Sequence, residues 1–267
     1  MKMRKTFVGE CISEFIGSWI LLFIGSGCVA SLVLNGAPAT QWEISIIWGL
    51  GVTIAIYITG AVSGTHINPA VTLALAAYRD FPKNKILGYI LAQVLGTFSG
   101  AATTYLLYKD AFFEFEKAND IIRGSVGSLA SAGVFSTYPK AYLNNFEAML
   151  VEIIITMFLV MVIFAVTDDK NSGAPKSNLA PIMIGLTIAI LGGSFGSLTG
   201  FAMNPARDFG PKLFAMMSGW GKTALGINNY FWVPIVGPII GGLIGGFVYD
   251  KGVRVYFENN KELEEKA

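Results

Sequence analysis

Long apolar stretches recur along the chain and are separated by shorter polar segments. They lie near residues 8–34, 42–61, 85–108, 145–167, 179–193 and 230–250. A membrane-spanning helix needs about 20 predominantly apolar residues, so these stretches predict six transmembrane helices. Two further stretches, 69–79 and 205–217, are predicted to be apolar but too short to cross the membrane. A helix of about 10 residues rises only about 15 Å, half of a hydrocarbon core of about 30 Å.

The composition agrees with a membrane protein. Of 267 residues, 53% are hydrophobic and 14% are charged, with a mean hydropathy of +0.57, whereas a soluble domain carries about 25% charged residues. The net charge of +1 gives no basic surface, so a nucleic-acid partner is not expected. Cys11, Cys28 and the single histidine, His66, lack metal-ligand spacing, so neither a metal nor another cofactor is expected.

Lysine and arginine predict the orientation. The N-terminus carries Lys2, Arg4 and Lys5, and the apolar run that follows is too long for a signal peptide, which predicts a retained helix. Further basic residues near 79–85, 170–176 and 251–266 fall on the same predicted side, while the loop at 35–41 has none. The positive-inside rule then predicts that both termini are cytoplasmic in a multi-pass protein of the plasma or inner membrane.

The tripeptide Asn-Pro-Ala occurs twice, at the start of each short apolar stretch. Asn68-Pro69-Ala70 and Asn204-Pro205-Ala206 lie in segments that align from Ser63 and from Thr199, respectively. Each half contains three predicted spans. Because three is odd, the second half must be inserted upside down, which predicts an inverted-topology repeat.

This repeat divides the chain into four parts. Residues 1–108 form the first half with its half-helix at 69–79, and residues 144–254 form the second half with its half-helix at 205–217. The stretch 109–143 is the predicted linker between the halves, and 255–267 is a charged cytoplasmic tail.

Asn is a preferred N-cap and Pro a preferred first helical residue, so each tripeptide predicts a helix start. In an inverted repeat the two starts meet near the membrane midplane, where each contributes about half a positive charge and disfavours cations and protons. The amides of Asn68 and Asn204 can then donate into a shared lumen. Irregular backbone at this depth must line a cavity. The predicted ladder of carbonyl acceptors comprises Gly64, Thr65, His66 and Ile67, and Gly200, Phe201, Ala202 and Met203.

Two Asn-Pro-Ala motifs on inverted three-helix halves resemble the major intrinsic protein family of aquaporins and glycerol facilitators. The resemblance covers essentially the whole chain, and its aquaglyceroporin branch is matched most specifically at 41–45, 47–51, 123–126, 135–139 and 200–211. It implies an all-α membrane fold with six transmembrane helices and two re-entrant half-helices. It also implies a homotetramer in the lipid bilayer.

The resemblance also implies which residues select the solute. The family's constriction falls here on Trp48, Gly192, Phe201 and Arg207. Water-selective members have histidine at the position of Gly192 and a small residue at that of Phe201. This chain is therefore expected to have a wider constriction with two aromatic walls and a charged donor. Such a constriction suits glycerol and small polyols, with some water.

Three of the carboxylates within the predicted apolar stretches are candidates for a role in the site, namely Glu14, Glu152 and Asp208. Glu14 and Glu152 occupy similar places in the two halves and would serve either as a proton relay or as acceptors for the loop backbone, and the resemblance favours the second role. Asp208 follows Arg207, as is common in members that pass glycerol, and a salt bridge that shapes the outer loop is one interpretation of it.

Several alternatives remain open at this level. The channel could conduct mainly water, or another neutral solute such as urea, dihydroxyacetone or undissociated lactic acid. An ion-coupled transporter would use Glu14 and Glu152. The sequence offers no nucleophile–base pair, paired catalytic carboxylates or metal cluster, so an enzyme is not expected.

Overall fold

The computed structural model describes residues 6–257, and the regular secondary structure in that range is all helical, with no strand in it. Its α-helices are α1 (Phe7–Asn35), α2 (Gln41–Ser63), α3 (Pro69–Tyr78), α4 (Ile86–Ala118), α5 (Leu129–Ala132), α6 (Asn145–Val166), α7 (Ala180–Thr199), α8 (Pro205–Ala215) and α9 (Val233–Tyr249). Within the described chain, six helical segments are long and apolar enough to cross a bilayer, namely α1, α2, α4, α6, α7 and the segment Ile227–Phe257, which contains α9. The predicted all-α class and the six predicted spans are confirmed.

The helix ends differ most from the prediction in α4 and α7. α4 continues to Ala118, so the first part of the predicted linker is helical. Phe112 and Glu116 on this extension are buried, which shows that it has a packed face of its own. α7 continues to Thr199, beyond the predicted end at 193. Of the predicted tail, residues 255–257 are helical and 258–267 lie outside the described residues.

Local sequence explains where the helices begin and end around the two loops. Thr40 and Glu43 form a reciprocal capping box at the start of α2. Gly64 ends α2 and Gly200 ends α7, with φ angles of 84° and 85°. Residues with a side chain rarely adopt this left-handed conformation, so glycine at both positions lets the chain leave the helix.

The packing repeats when the two halves are exchanged. α1 packs on α4 as α6 packs on α9, and α1 packs on α2 as α6 packs on α7. The short helices cross over, since α3 packs on α9 of the other half and α8 packs on α4. The central α2–α7 contact is close, because a Cβ on Gly49 would lie 2.2 Å from the Gly185 carbonyl oxygen. Each half therefore contributes a short helix to the packing of the other.

Candidate functional site

The two Asn-Pro-Ala tripeptides meet inside the helical bundle. Asn68 Oδ1 accepts a hydrogen bond from the Ala70 N–H at 2.9 Å, and Asn204 Oδ1 accepts one from the Ala206 N–H at 3.0 Å. Each asparagine thereby caps its own short helix, with proline at the first helical position.

The same side chains also join the two halves. Asn68 Nδ2 donates to the carbonyl of Met203 at 2.9 Å, and Asn204 Nδ2 donates to the carbonyl of Ile67 at 2.8 Å. These reciprocal bonds place the N-termini of α3 and α8 side by side. A side-chain amide has two donors, so one N–H of each asparagine is left for a further partner. The two hydrogen bonds between the halves also occupy two carbonyls of the predicted ladder, those of Ile67 and Met203.

The loops before the two asparagines share an unusual backbone. After Gly64 and Gly200, Thr65 and Phe201 have φ angles of 50° and 42°. Ile67 and Met203 have φ angles of 43° and 50°. A positive φ is costly for residues with a side chain, especially β-branched ones such as Thr65 and Ile67, and persists only where the surroundings impose it. Two loops of different sequence therefore hold the same strained path.

A buried carboxylate imposes this path on the first loop. Glu14 Oε1 accepts hydrogen bonds from the His66 N–H at 2.8 Å and the Ser63 hydroxyl at 2.6 Å. Glu14 Oε2 accepts from the Ile67 N–H at 2.6 Å and from Gln93 Nε2 at 2.8 Å.

Glu152 makes the matching contacts in the second loop. Its Oε1 accepts from the Thr199 hydroxyl at 2.6 Å and the Ala202 N–H at 3.0 Å, and its Oε2 accepts from the Met203 N–H at 2.8 Å. Both glutamates have 0% exposure. Since the carboxylates bind loop N–H groups from behind, they stabilise the strained backbone and leave carbonyls for the cavity side.

The loops line a continuous cavity of about 690 Å³. Its lining includes Asn68 and Asn204, and also Tyr57 and Asn178. Of the predicted ladder, the residues that line it are Gly64, Thr65, His66, Ile67, Phe201, Ala202 and Met203. Gly200, Glu14 and Glu152 are not among the described residues that line the cavity. Because Glu14 and Glu152 do not line the cavity, the structure argues against a proton relay through these two carboxylates.

Two aromatic rings and one cation, from Trp48, Phe201 and Arg207, also line the cavity. The rings of Trp48 and Phe201 meet at 81°, with centroids 6.3 Å apart. The Arg207 guanidinium carbon lies 3.9 Å from the centroid of the Trp48 ring, and Arg207 Nη1 donates to the Phe135 carbonyl at 3.4 Å. The apolar rings of Trp48 and Phe201 and the N–H donors of Arg207 thus border the same part of the cavity.

Gly192, the fourth predicted constriction residue, acts by lacking a side chain. It is not among the described lining residues, and its carbonyl accepts a hydrogen bond from Gln41 Nε2 at 3.1 Å. A Cβ at this position would lie 2.9 Å from Phe201 Cε2 and 2.7 Å from Ser45 Oγ. The site therefore cannot hold a larger residue at 192 while the Phe201 ring keeps its place.

A buried ion pair fixes the chain next to Arg207. Asp208 forms a salt bridge with Lys212, and both side chains have 0% exposure. Asp208 Oδ1 also accepts hydrogen bonds from the Thr137 N–H at 2.7 Å and hydroxyl at 2.8 Å, while Lys212 Nζ donates to the Thr137 carbonyl at 2.9 Å. The salt bridge considered for Asp208 is present, and it holds the linker between α4 and α6.

These contacts correct one sequence-based description and add two residues. α8 is not uniformly apolar, since it buries Arg207, Asp208 and Lys212. Sequence reasoning missed Lys212 and Thr137. The signal for Lys212 was its spacing, because a cation four residues after a carboxylate on a helix reaches it.

The same linker also contributes an aromatic contact to the ion pair. Lys212 Nζ lies 4.6 Å from the Tyr138 ring centroid, and the Tyr138 hydroxyl donates to the Ala224 carbonyl at 2.8 Å. Burial raises the pKa of the Tyr138 hydroxyl above its usual range. Tyr138 therefore keeps the O–H that donates this hydrogen bond even at alkaline pH at which a solvent-exposed tyrosine ionises.

Known proteins resemble this chain in sequence. A family model described as major intrinsic protein matches residues 1–249. The chain is 52% identical over 254 residues to the glycerol uptake facilitator protein of Escherichia coli strain K12, an alignment that covers 94% of this chain and 90% of the relative. It is also 52% identical over 239 residues to a propanediol uptake facilitator of Salmonella typhimurium, with coverage of 88% and 90%.

The fold has a solved counterpart as well. The X-ray structure of the aquaglyceroporin from Plasmodium falciparum matches with a TM-score of 0.84 and 31% identity, covering 95% of this chain and 99% of that one. Together with the matches in sequence, this confirms the family predicted from the doubled motif. The chain belongs to the major intrinsic protein family.

Proposed function

We propose that this protein is a passive transmembrane channel for glycerol and related small uncharged solutes, with some permeability to water. The observation that carries the proposal is the corner formed by Trp48 and Phe201 beside Arg207, at one end of a cavity lined by loop backbone. The relatives named glycerol uptake facilitator and aquaglyceroporin support glycerol as the solute.

The proposed mechanism matches the two sides of a polyol. The carbon edge of glycerol slides along Trp48 and Phe201, while its hydroxyls exchange hydrogen bonds with Arg207 and then with the loop carbonyls. Replacing each lost water contact by a protein contact keeps the desolvation cost small. Binding must also remain weak, since a solute held tightly would not leave.

We assign ion exclusion to the centre and to Arg207. The N-termini of α3 and α8 direct the positive ends of two helix dipoles at the lumen, where Asn68 and Asn204 offer their remaining N–H donors. Arg207 adds a fixed positive charge at the constriction. A cation or a proton would meet unfavourable potential at both places.

The wider setting follows from the charge pattern and the family. In this proposal α3 and α8 are re-entrant half-helices that enter from opposite faces of an inner membrane. Both termini are cytoplasmic because basic residues cluster on their side. Four copies assemble as a homotetramer in the bilayer, and the protein transports its solutes without enzymatic activity.

Stopped-flow light scattering on proteoliposomes tests the proposal. After a hyperosmotic glycerol shock, vesicles should shrink and then recover much faster than protein-free vesicles, and proton or sodium gradients should leave this rate unchanged. Fast shrinkage without recovery would indicate a water channel, and dependence on a gradient would indicate a coupled transporter. A panel of 1,2-propanediol, urea, dihydroxyacetone and lactic acid defines the solute range.

A further inference from the structure

We propose that Gly25 and Gly196 are specificity-determining residues that set the width of the constriction from behind. Neither is among the described residues that line the cavity. Each lies against the back of one aromatic wall, Gly25 behind Trp48 and Gly196 behind Phe201. The inference rests on the proposed function of the constriction.

Gly25 on α1 seats the Trp48 ring. A Cβ at Gly25 would lie 2.4 Å from each of three ring atoms, Cδ2, Cε2 and Cε3. The ring therefore lies directly on the helix backbone. The Arg207 guanidinium lies only 3.9 Å from the centroid of the same ring. A ring pushed from behind must therefore move toward Arg207 and the lumen.

Gly196 on α7 seats the Phe201 ring in the same way. A Cβ there would lie 2.5 Å from Phe201 Cδ1 and 3.0 Å from Cε1. Gly192 lies one helical turn earlier, and the two glycines together form a shallow groove for the ring. Gln41 Nε2 closes the groove at one edge, 2.5 Å from the same Cβ position.

α7 has little room to retreat from an added methyl group. Gly185, on the same helix, is in backbone contact with Gly49 of α2, where a Cβ on Gly185 would lie 2.5 Å from the Gly49 carbonyl oxygen. Moving α7 outward would break this contact. The Phe201 ring would therefore yield first, toward the cavity that it lines.

The distance that each aromatic ring would move indicates how much the glycerol and water fluxes should change. Ordinary contact begins near 3.4 Å, so an alanine at either position would push its ring about 1 Å into the lumen. A polyol carbon chain fills the aromatic corner, whereas water is narrower. We therefore expect glycerol flux to fall about tenfold or more and water flux to fall about twofold or less in either alanine variant.

The experiment compares matched variants in proteoliposomes of equal protein content. Gly25→Ala is paired with Gly27→Ala on the same helix, where an added Cβ meets nothing within 4 Å. Gly196→Ala is paired with Gly193→Ala, whose Cβ would lie 2.8 Å from the ring of Trp42, a half-exposed side chain that can move outward, away from the cavity that it does not line. Stopped-flow rates for glycerol and water are measured for each, and both controls should match the wild type.

Rescue separates a narrowed constriction from damaged folding. Adding Phe201→Leu to Gly196→Ala, or Trp48→Phe to Gly25→Ala, removes ring volume and should restore glycerol flux. The inference is overturned if either alanine variant conducts glycerol like the wild type, or if glycerol and water fall equally without rescue. Failure of the wild type itself to conduct glycerol would instead overturn the proposed function, and the selectivity role with it.

Discussion

The loop and short helix of the first half (residues 63–78) and those of the second half (residues 199–215) follow one backbone but carry different side chains. The shared parts are the buried glutamate, the glycine turn, the strained residues and the capping asparagine. The aligned residues that differ include four pairs, namely Thr65 and Phe201, Val71 and Arg207, Thr72 and Asp208, and Ala76 and Lys212. The shared parts support the backbone, and among the differing residues Thr65, Val71, Phe201 and Arg207 line the cavity.

The two halves also support their short helices by different chemistry. In the first half, the Thr72 hydroxyl donates to the Asn68 carbonyl at 3.1 Å and accepts from Gln93 Nε2 at 3.0 Å. In the second half, the ion pair of Asp208 and Lys212 supports the short helix and also forms hydrogen bonds with Thr137. The neutral support uses Gln93 on α4, whereas the charged support ties α8 to the linker between α4 and α6.

The largest expected effect comes from breaking the charged support. Lys212→Met leaves Asp208 buried without its cation, and removing one partner of a buried pair costs about 3–5 kcal/mol. We expect a marked drop in the thermal unfolding midpoint in detergent. The matched change in the neutral half, Ala76→Met, should shift the midpoint much less.

A double variant separates lost charge pairing from lost packing. Asp208→Asn combined with Lys212→Met removes both charges and should recover much of the stability lost in the single variant. A single variant as stable as the wild type would mean that the ion pair contributes nothing to the second half. The contrast between the two supports would then be wrong.

The shared glutamates give the next largest effect. Glu14→Gln and Glu152→Gln each place an amide NH₂ against a loop N–H that now donates to a carboxylate oxygen. A buried donor left unsatisfied costs about 1–3 kcal/mol, so both variants should lose stability and glycerol flux. Unfolding midpoints and flux are measured in parallel, and the two losses should be similar. A loss in only one half would show that the two supports are not equivalent.

The sequence predicts the shared parts of this comparison better than the parts that differ. Hydrophobic run length predicts six spans, and the doubled tripeptide predicts the helix starts at Pro69 and Pro205. The hydrogen bonds that Asp208 and Lys212 form with Thr137 could not be predicted, because Thr137 lies 71 positions from Asp208 and only folding brings the two residues together. The continuation of α4 to Ala118 was missed because polar residues interrupt its apolar pattern, while its packed face appears only in three dimensions.

Selectivity should change when the second half is made to resemble the first. Phe201→Thr installs the residue of the first loop, and Gly192→His fills the space that the ring vacates. The double variant should lower the ratio of glycerol to water permeability about tenfold, equivalent to about 1.4 kcal/mol. Gly192→His alone should reduce both fluxes, because the new side chain collides with Phe201. Equal loss of both fluxes in the double variant would remove these positions from the selectivity argument.

The smallest expected effect concerns the fixed charge. Arg207→Val places the first-half residue, Val71, at the matching position and removes the cation from the constriction. The positive ends of α3 and α8 remain at the centre, so part of the electrostatic barrier persists. We expect proton and sodium leakage to rise about three- to tenfold, measured with a pH-sensitive dye inside vesicles and with sodium flux. Arg207→Lys keeps the charge and should keep leakage low, although it loses the planar donors that face the solute. If Arg207→Val leaks no more than the wild type, ion exclusion lies entirely with the shared centre, and the asymmetry between the halves serves solute choice alone.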